Sequence, residues 1–528
     1  MSATDSPAAG HYAAARAKAR FDLDGDGRSD RLYRSALTGK LTVILSKTGT
    51  SAPFSVGADD LDGSVAKEIL PADSYPGTAG AKLLTLRSDG QLRLTTALST
   101  TDTSKYTLWT GTGWQIYNKV LAPGDLTKDG RQDLLARTPG GTLYLYSGTG
   151  NADVYKGGPF KARVKVGDGW QAYDQLVGTN DLDGDTIADL VARTLSGDLY
   201  FYKGTGSATA PFKTRVKVGG GWNVYNQIIG TDDVNNDGKA DLLARTYDGA
   251  FYKYLSTGGG KFAARTYDSG GGQNISHYIN QGGVPDYGKH GLFAVDKGFT
   301  AFTYGTLANG KLTAARQYGP AGVYDQHWRL TYVSTLGEND KACLMESGPQ
   351  NLYCDGVGDL STSPAFYQYW ESLSPGDVTG DGKGDVVGVN TKGELYVHPG
   401  LKDRGWPQVG AGVKAGTGFP YDKLAGAGDI TGDGRPDLIS RDGDRLYVHP
   451  GTGSATAPFA ARVLIGAGWG AYAHLVTPGD MNGDGRADLL AVTPGGDAYR
   501  YAATGLTGTS TFAARVKIAT GWAYDHIS

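Results

Sequence analysis

The chain has 528 residues, 82 of them Gly and 10% aromatic, with a formal net charge of −3. Abundant Gly without a strict period, beside plentiful Tyr and Thr, excludes collagen and disorder and suits short strands joined by tight turns. The charge points to neither nucleic acid nor a membrane surface, and no apolar run reaches the roughly 20 residues of a membrane helix, so membrane insertion is not expected.

The first predicted element is an acidic loop, "DLDGDGRSD" at 22–30, with four aspartates in nine residues. Like charges at this density imply a bound cation, disorder or acid–base chemistry. The text returns as "DLTKDGRQD" (125–133), "DLDGDTIAD" (181–189), "DVNNDGKAD" (233–241), "DVTGDGKGD" (377–385), "DITGDGRPD" (429–437) and "DMNGDGRAD" (480–488). Oxygen-bearing side chains fall at positions 1, 3, 5 and 9. They are Asp22, Asp24, Asp26 and Asp30, then Asp125, Thr127, Asp129 and Asp133, then Asp181, Asp183, Asp185 and Asp189. Asp233, Asn235, Asp237 and Asp241 follow, with Asp377, Thr379, Asp381 and Asp385 after them. The last two sets are Asp429, Thr431, Asp433 and Asp437, and Asp480, Asn482, Asp484 and Asp488. Position 6 is usually Gly, which permits the sharp turn. Hard oxygen ligands converging from a tight loop suit Ca²⁺, and about seven structural sites are expected. An EF-hand would need Glu at position 12, where this chain has Tyr33, Ala136, Ala192, Ala244, Gly388, Ser440 and Ala491. A plain Asp-Gly turn is the simpler reading of any one loop. Seven copies argue against it, and equally against a catalytic acid pair.

After each loop the text alternates like strands, as in "DLVARTLSGDLYFY". Entry strand, hairpin and an outer strand such as "FKTRVKVG" make a four-stranded unit. Degenerate units start at Asp73, Gly283 and near Thr335, where ligands are lost and no Ca²⁺ is expected, giving ten units of about 51 residues. Four strands at such a period mean a β-propeller in an all-β chain. In "CLMESGPQNLYC" a hairpin about Gly348-Pro349 would set Cys343 opposite Cys354, predicting a disulfide and an oxidising compartment. Two buried thiols are the alternative.

The loops and the strands after them resemble FG-GAP/VCBS repeats, the calcium-binding propeller repeats of integrin-like and secreted bacterial, including actinobacterial, proteins. The "GGW…Y" lead-ins are more weakly similar to those of tachylectin-type five-bladed lectins. The resemblance implies a secreted protein. Met1-Ser2-Ala3-Thr4 carries no signal-peptide pattern, so a leader would precede this numbering.

Blade arrangement is read from two gaps. The C-terminal "TGWAYDHIS" stops where a loop should begin, and the N-terminal "ARFDLDGDG" opens with one. By length the outer strand after Cys354 is expected to be missing, with 13 residues from Tyr353 to Phe366 against 20 from Tyr202 to Trp222. These predict nested propellers: an outer one of 1–103 and 355–528 closed through the termini, and an inner one of 104–354 that borrows "SKYTLWTG" as an outer strand. A single ten-bladed ring is the alternative.

The eight histidines form no HExxH or other recognised catalytic set, so an enzyme, such as a polysaccharide lyase or glycosidase, is the least favoured reading. Candidate carbohydrate platforms are the lead-in aromatics Trp114, Tyr117, Trp170, Tyr173, Trp222, Tyr225, Phe419, Tyr421, Trp469, Tyr472, Trp522 and Tyr524. An indole face among glycines suits the apolar face of a sugar, while the plain alternative is packing between blades. Repetition would give avidity on a glycan surface. The expected function is therefore a secreted, calcium-stabilised, multivalent lectin for cell-surface glycans. The alternative is a protein-docking scaffold, or targeting subunit of a secreted toxin-like particle, with a protein partner at the degenerate blades 283–354.

Overall fold

A computed structural model describes residues 17–528 apart from 36–39, 55–65, 73–80, 88–89, 98–106, 153–156, 281–290, 325–328, 334–342, 348–351, 355–357, 360–367, 404–405 and 420–421. The degenerate loops at 73, 283 and 335 fall outside the described residues. No α-helix occurs among the described residues, and the strands form ten four-stranded antiparallel sheets with two small extra hairpins.

The blade at 173–219 shows how the text folds. Tyr173–Asn180 enters, Asp189–Thr194 and Leu199–Tyr202 form the hairpin, and Val216–Gly219 closes the outside. Asp189–Thr194 is buried along almost its whole length because both faces meet neighbouring blades, hence the unbroken run "DLVA". The outer strand lies at the rim and carries charge.

The sheets close into two consecutive five-bladed rings. In the N-terminal ring, apolar clusters join blade to blade in order and return to the start. The closing cluster packs Phe21, Leu32, Val43 and Phe54 against Ile69 and Leu83. The C-terminal ring closes likewise, with Phe293 and Val295 packed against Leu344.

The β-propeller class and the ten units stand, but the nested arrangement does not. Arg31–Ser35 takes Ile275–Tyr278 as its inner strand, and the C-terminal Tyr524–Ile527 completes the sheet of Gly291–Asp296. Neither a 104–354 ring nor a 1–103/355–528 ring forms. Both lead-in strands offer a loop the same backbone edge, so long-range contacts choose between them. Tyr33 packs on Tyr278 at 5.6 Å. Arg20 donates to the carbonyls of Ala122, Gly178 and Gly230 and pairs with Asp232 at 2.6 Å, tying the N-terminal segment into its own ring. Thr107–Gly111 pairs with Leu92–Ala97 of its own blade and is not lent elsewhere. The outer strand after Cys354 is simply short, Gly358–Asp359.

The cysteine hairpin also has a different register. Met345 stands opposite Cys354 and Val333 opposite Cys343, so the two cysteines are offset by two residues. Their sulfur atoms lie outside the described side chains.

Candidate metal centres and interblade seams

All seven complete loops share one backbone cradle. The position-1 carboxylate accepts the N–H of position 6 at 2.6–2.9 Å, from Gly27 on Asp22 to Gly485 on Asp480. The position-9 carboxylate accepts the N–H of position 2 at 2.7–3.2 Å. Its other oxygen accepts an N–H just beyond the third strand, at 2.7–3.1 Å. The loop is thus pinned at both ends by its own aspartates, and lone pairs remain for a cation.

One oxygen each from Asp22, Asp24 and Asp30 lies within 4.8 Å of the others, and the same holds for Asp181, Asp183 and Asp189. In the remaining loops the position-3 residue is Thr or Asn, and Asn235 turns its amide toward Asp237 at 3.1 Å. Neighbouring cations touch several positions: Lys203 lies 2.7 Å from Asp185 and also contacts Asp183, and Arg486 lies 2.8 Å from Asp484.

Burial sets the charge problem in these loops. It pushes Asp133 up to about 7, Asp189 to about 8, Asp241 to about 6 and Asp385 to about 7, against neighbouring backbone donors that pull the other way. Asp437 and Asp488 rise well above the carboxylate range, by burial and then by facing like charges. An all-oxygen donor set crowded enough to resist ionisation fits a hard divalent ion, whose charge would restore the ionised form.

Loops of the C-terminal ring dock on the lead-in face of the N-terminal ring. Asn118 donates to the Asp433 carbonyl at 3.0 Å, and Asn226 to the Asn482 carbonyl at 2.7 Å.

The lead-in aromatics are not exposed platforms, which corrects the expectation for them. Trp114, Trp170, Trp222 and Trp469 each open a single 3₁₀ turn after a Gly in the left-handed region, such as Gly169 at φ 86. That turn folds the indole inward, leaving about 7% exposed for Trp170 and Trp222. Each indole stacks on a tyrosine of the third strand at 4.6–4.8 Å: Tyr146, Tyr202, Tyr254 or Tyr501. The lead-in Tyr117, Tyr173, Tyr225 and Tyr472 are buried and bond those same tyrosines through their hydroxyls at 2.5–2.7 Å. Phe419 is buried against His449, 5.3 Å centroid to centroid. Trp522 and Tyr524 are half-buried, with Trp522 on Tyr304 at 5.1 Å. Tyr421 lies outside the described residues.

A latch absent from the expectations completes four of the seams. Arg137 donates to the carbonyls of Trp170 and Tyr173, Arg193 to those of Trp222 and Tyr225, and Arg441 to those of Trp469 and Tyr472. Arg245 does the same to Gly272 and Ile275. The "AR" or "SR" that follows four of the seven loops was the readable signal.

The FG-GAP-like repeat family matches residues 181–244 and 429–491, each stretch running from one acidic loop into the next blade's second strand. No curated protein matches the chain. Among solved structures, the BP39L lectin from Burkholderia pseudomallei is similar at 14% identity and a TM-score of 0.27, covering 66% of this chain and 99% of the lectin. The Photorhabdus luminescens Tc holotoxin pore is similar at 12% identity and a TM-score of 0.27, covering 97% of this chain and 27% of that one. At these scores neither likeness bears on function. What stands is a β-propeller that carries FG-GAP-like repeats at two stretches.

Proposed function

We propose that this protein is a non-enzymatic, calcium-stabilised β-propeller that binds glycans in crevices between its blades. The seven acidic cradles would hold Ca²⁺ through Asp22, Asp24, Asp26, Asp30 and their counterparts, neutralising the loops and stiffening the blade edges. Millimolar extracellular calcium would keep such loops loaded, which favours a secreted setting.

The observation that carries the glycan reading is a crevice of about 310 Å³ at the seam where Phe419 and His449 replace the larger Trp–Tyr pair. Phe459, Thr417 and Arg462 also line it. An apolar wall with a few polar groups is the composition that takes a sugar ring. Binding would then use the gap between blades, not the buried indoles. A glycan array with and without chelator, run on wild type and Phe459→Ala, tests the proposal. Retention of a glycan class that is lost in the variant supports it. No retention by the folded, calcium-loaded wild type overturns it, and a protein pull-down on the same sample would then favour the docking reading.

A further inference from the structure

Five interblade seams place an apolar pair at one equivalent position: Leu94 with Leu134, Leu145 with Leu190, Phe201 with Leu242, Val397 with Leu438, and Val448 with Leu489. The first member is the third-strand residue that faces the next blade. The second directly follows the ninth loop position. Where the fourth blade of the N-terminal ring meets its closing blade, this pair is Lys253 and Arg31. The outer strand changes with them. Val166 and Val218 pack into their seams, but the register puts Asp268 at their place. Three apolar positions of one seam have thus become charged together.

The three charges do not close the gap. Asp268 lies 3.2 Å from the Lys253 ammonium and 3.8 Å from the Arg31 guanidinium, one acid between two cations. A cavity of about 240 Å³ opens beside them. Ile44 and Leu243 give it an apolar wall, and Ser46 and Thr231 line it as well. Arg28, on the rim, is committed to Asp26 at 2.9 Å. Asp233, also on the rim, accepts two N–H groups of its own loop. The cations remain partly accessible, with 34% of the Arg31 side chain and 37% of that of Lys253 exposed.

We infer that this seam is a binding site for a small carboxylate-bearing sugar. The site would receive its acid on Arg31 and Lys253 and its ring face on Ile44 and Leu243. A planar guanidinium matches a carboxylate with two parallel hydrogen bonds, and the ammonium adds a point charge. If the triad served only to seal the ring, the apolar set used by five other seams would do so without two facing cations. The inference rests on the glycan reading above and adds the ligand class and a second location.

The test is titration calorimetry of the calcium-loaded full chain with N-acetylneuraminic acid, glucuronic acid and neutral N-acetylglucosamine. One or both acids bind and the neutral sugar does not. Binding weakens steeply in about 1 M salt, where the screening length falls to roughly 3 Å. Lys253→Leu, which restores the residue type of neighbouring blades and keeps the protein folded, weakens the acid by about tenfold or more. Arg31→Gln does the same. Asp268→Asn removes the internal competitor and tightens binding several-fold. The two acids distinguish sialylated from uronic glycans as the source. Equal binding of neutral and acidic sugars, or undiminished acid binding in folded Lys253→Leu, overturns the inference while the glycan reading survives. Absence of acid binding also overturns it, and a blank glycan array overturns both.

Discussion

The two rings are cut from one blade template and sealed with different chemistry. In the N-terminal ring, three seams repeat a closed polar chain. Arg163 donates to Tyr117 at 2.5 Å, and Arg215 and Arg265 to Tyr173 and Tyr225, each guanidinium stacked 4.3–4.4 Å over a further tyrosine. In the C-terminal ring, among the described residues, only one seam keeps this set, with Arg515 on Tyr472. Two others exchange the third-strand tyrosine for histidine. His398 bonds Tyr369 at 2.9 Å, and His449 bonds Ser440 at 2.8 Å. The geometry of a seam tolerates either ring, but on acidification a tyrosine takes up no proton in either state, whereas a histidine takes one up in the unfolded chain. The difference teaches that blade packing and acid tolerance are set separately.

Calcium removal should produce the largest effect and should separate the rings. The N-terminal ring holds four complete loops, at 22, 125, 181 and 233, and the C-terminal ring three, at 377, 429 and 480. A ligand that binds only the folded state, at a hundredfold its Kd, adds about 2.7 kcal/mol per site. Calorimetry in excess chelator should therefore show lowered melting, more so for the N-terminal ring. Unchanged melting would remove the structural role of the metal.

Next comes Arg20, a closure device of the N-terminal ring alone among the described residues. Its removal leaves Asp232 buried without its cation and frees three blade carbonyls. Arg20→Ala should cost about 3–5 kcal/mol by chemical denaturation. A loss below about 1 kcal/mol, the level of a surface pair, would show that ring closure does not depend on it.

Trp222→Ala tests whether seam aromatics are packing residues. The indole is buried and stacks on Tyr254 at 4.6 Å, so truncation should cost about 3–5 kcal/mol. The folded fraction should keep its glycan binding. A stable variant that loses binding would return these indoles to the role of sugar platforms.

How far the sequence could be read follows from the range of each signal. The acidic loops and the four-strand unit are local and periodic, so "DLDGDGRSD" and its repeats were legible. Ring closure was not, because Ile275–Tyr278 and Tyr524–Ile527 offer a loop the same strand edge. The choice rests on contacts such as Arg20 with Asp232, 212 positions apart. Burial of the indoles was legible in principle. Tyr117 and Tyr146, Tyr173 and Tyr202, Tyr225 and Tyr254, and Tyr472 and Tyr501 each stand 29 apart, a spacing that marks bonded partners within one blade. Glycines around a tryptophan cannot say which way the turn points it.

The smallest effect isolates the comparison best. Burial, reinforced by the Arg462 charge, lowers His449 to about 4, so the folded ring keeps it neutral. In the unfolded chain it titrates near 6.5. As pH falls through 6.5 the unfolded state takes up a proton that the folded state refuses. Stability is lost progressively down to about pH 4, below which both states are protonated and the loss is complete. The full span is worth about 3 kcal/mol from this residue. His398 and His474 are also held down by burial and act in the same direction. His449→Tyr installs the residue that the N-terminal ring carries at this position, as at Tyr202. The variant should therefore lose less stability than wild type between pH 6.5 and 4, measured in saturating calcium so that the loop aspartates stay ionised in both proteins. The change should appear in the C-terminal ring's transition and leave the N-terminal ring's untouched. Parallel pH profiles for wild type and variant would mean that His449 is protonated in the folded seam, and that the two rings do not differ in acid tolerance on its account.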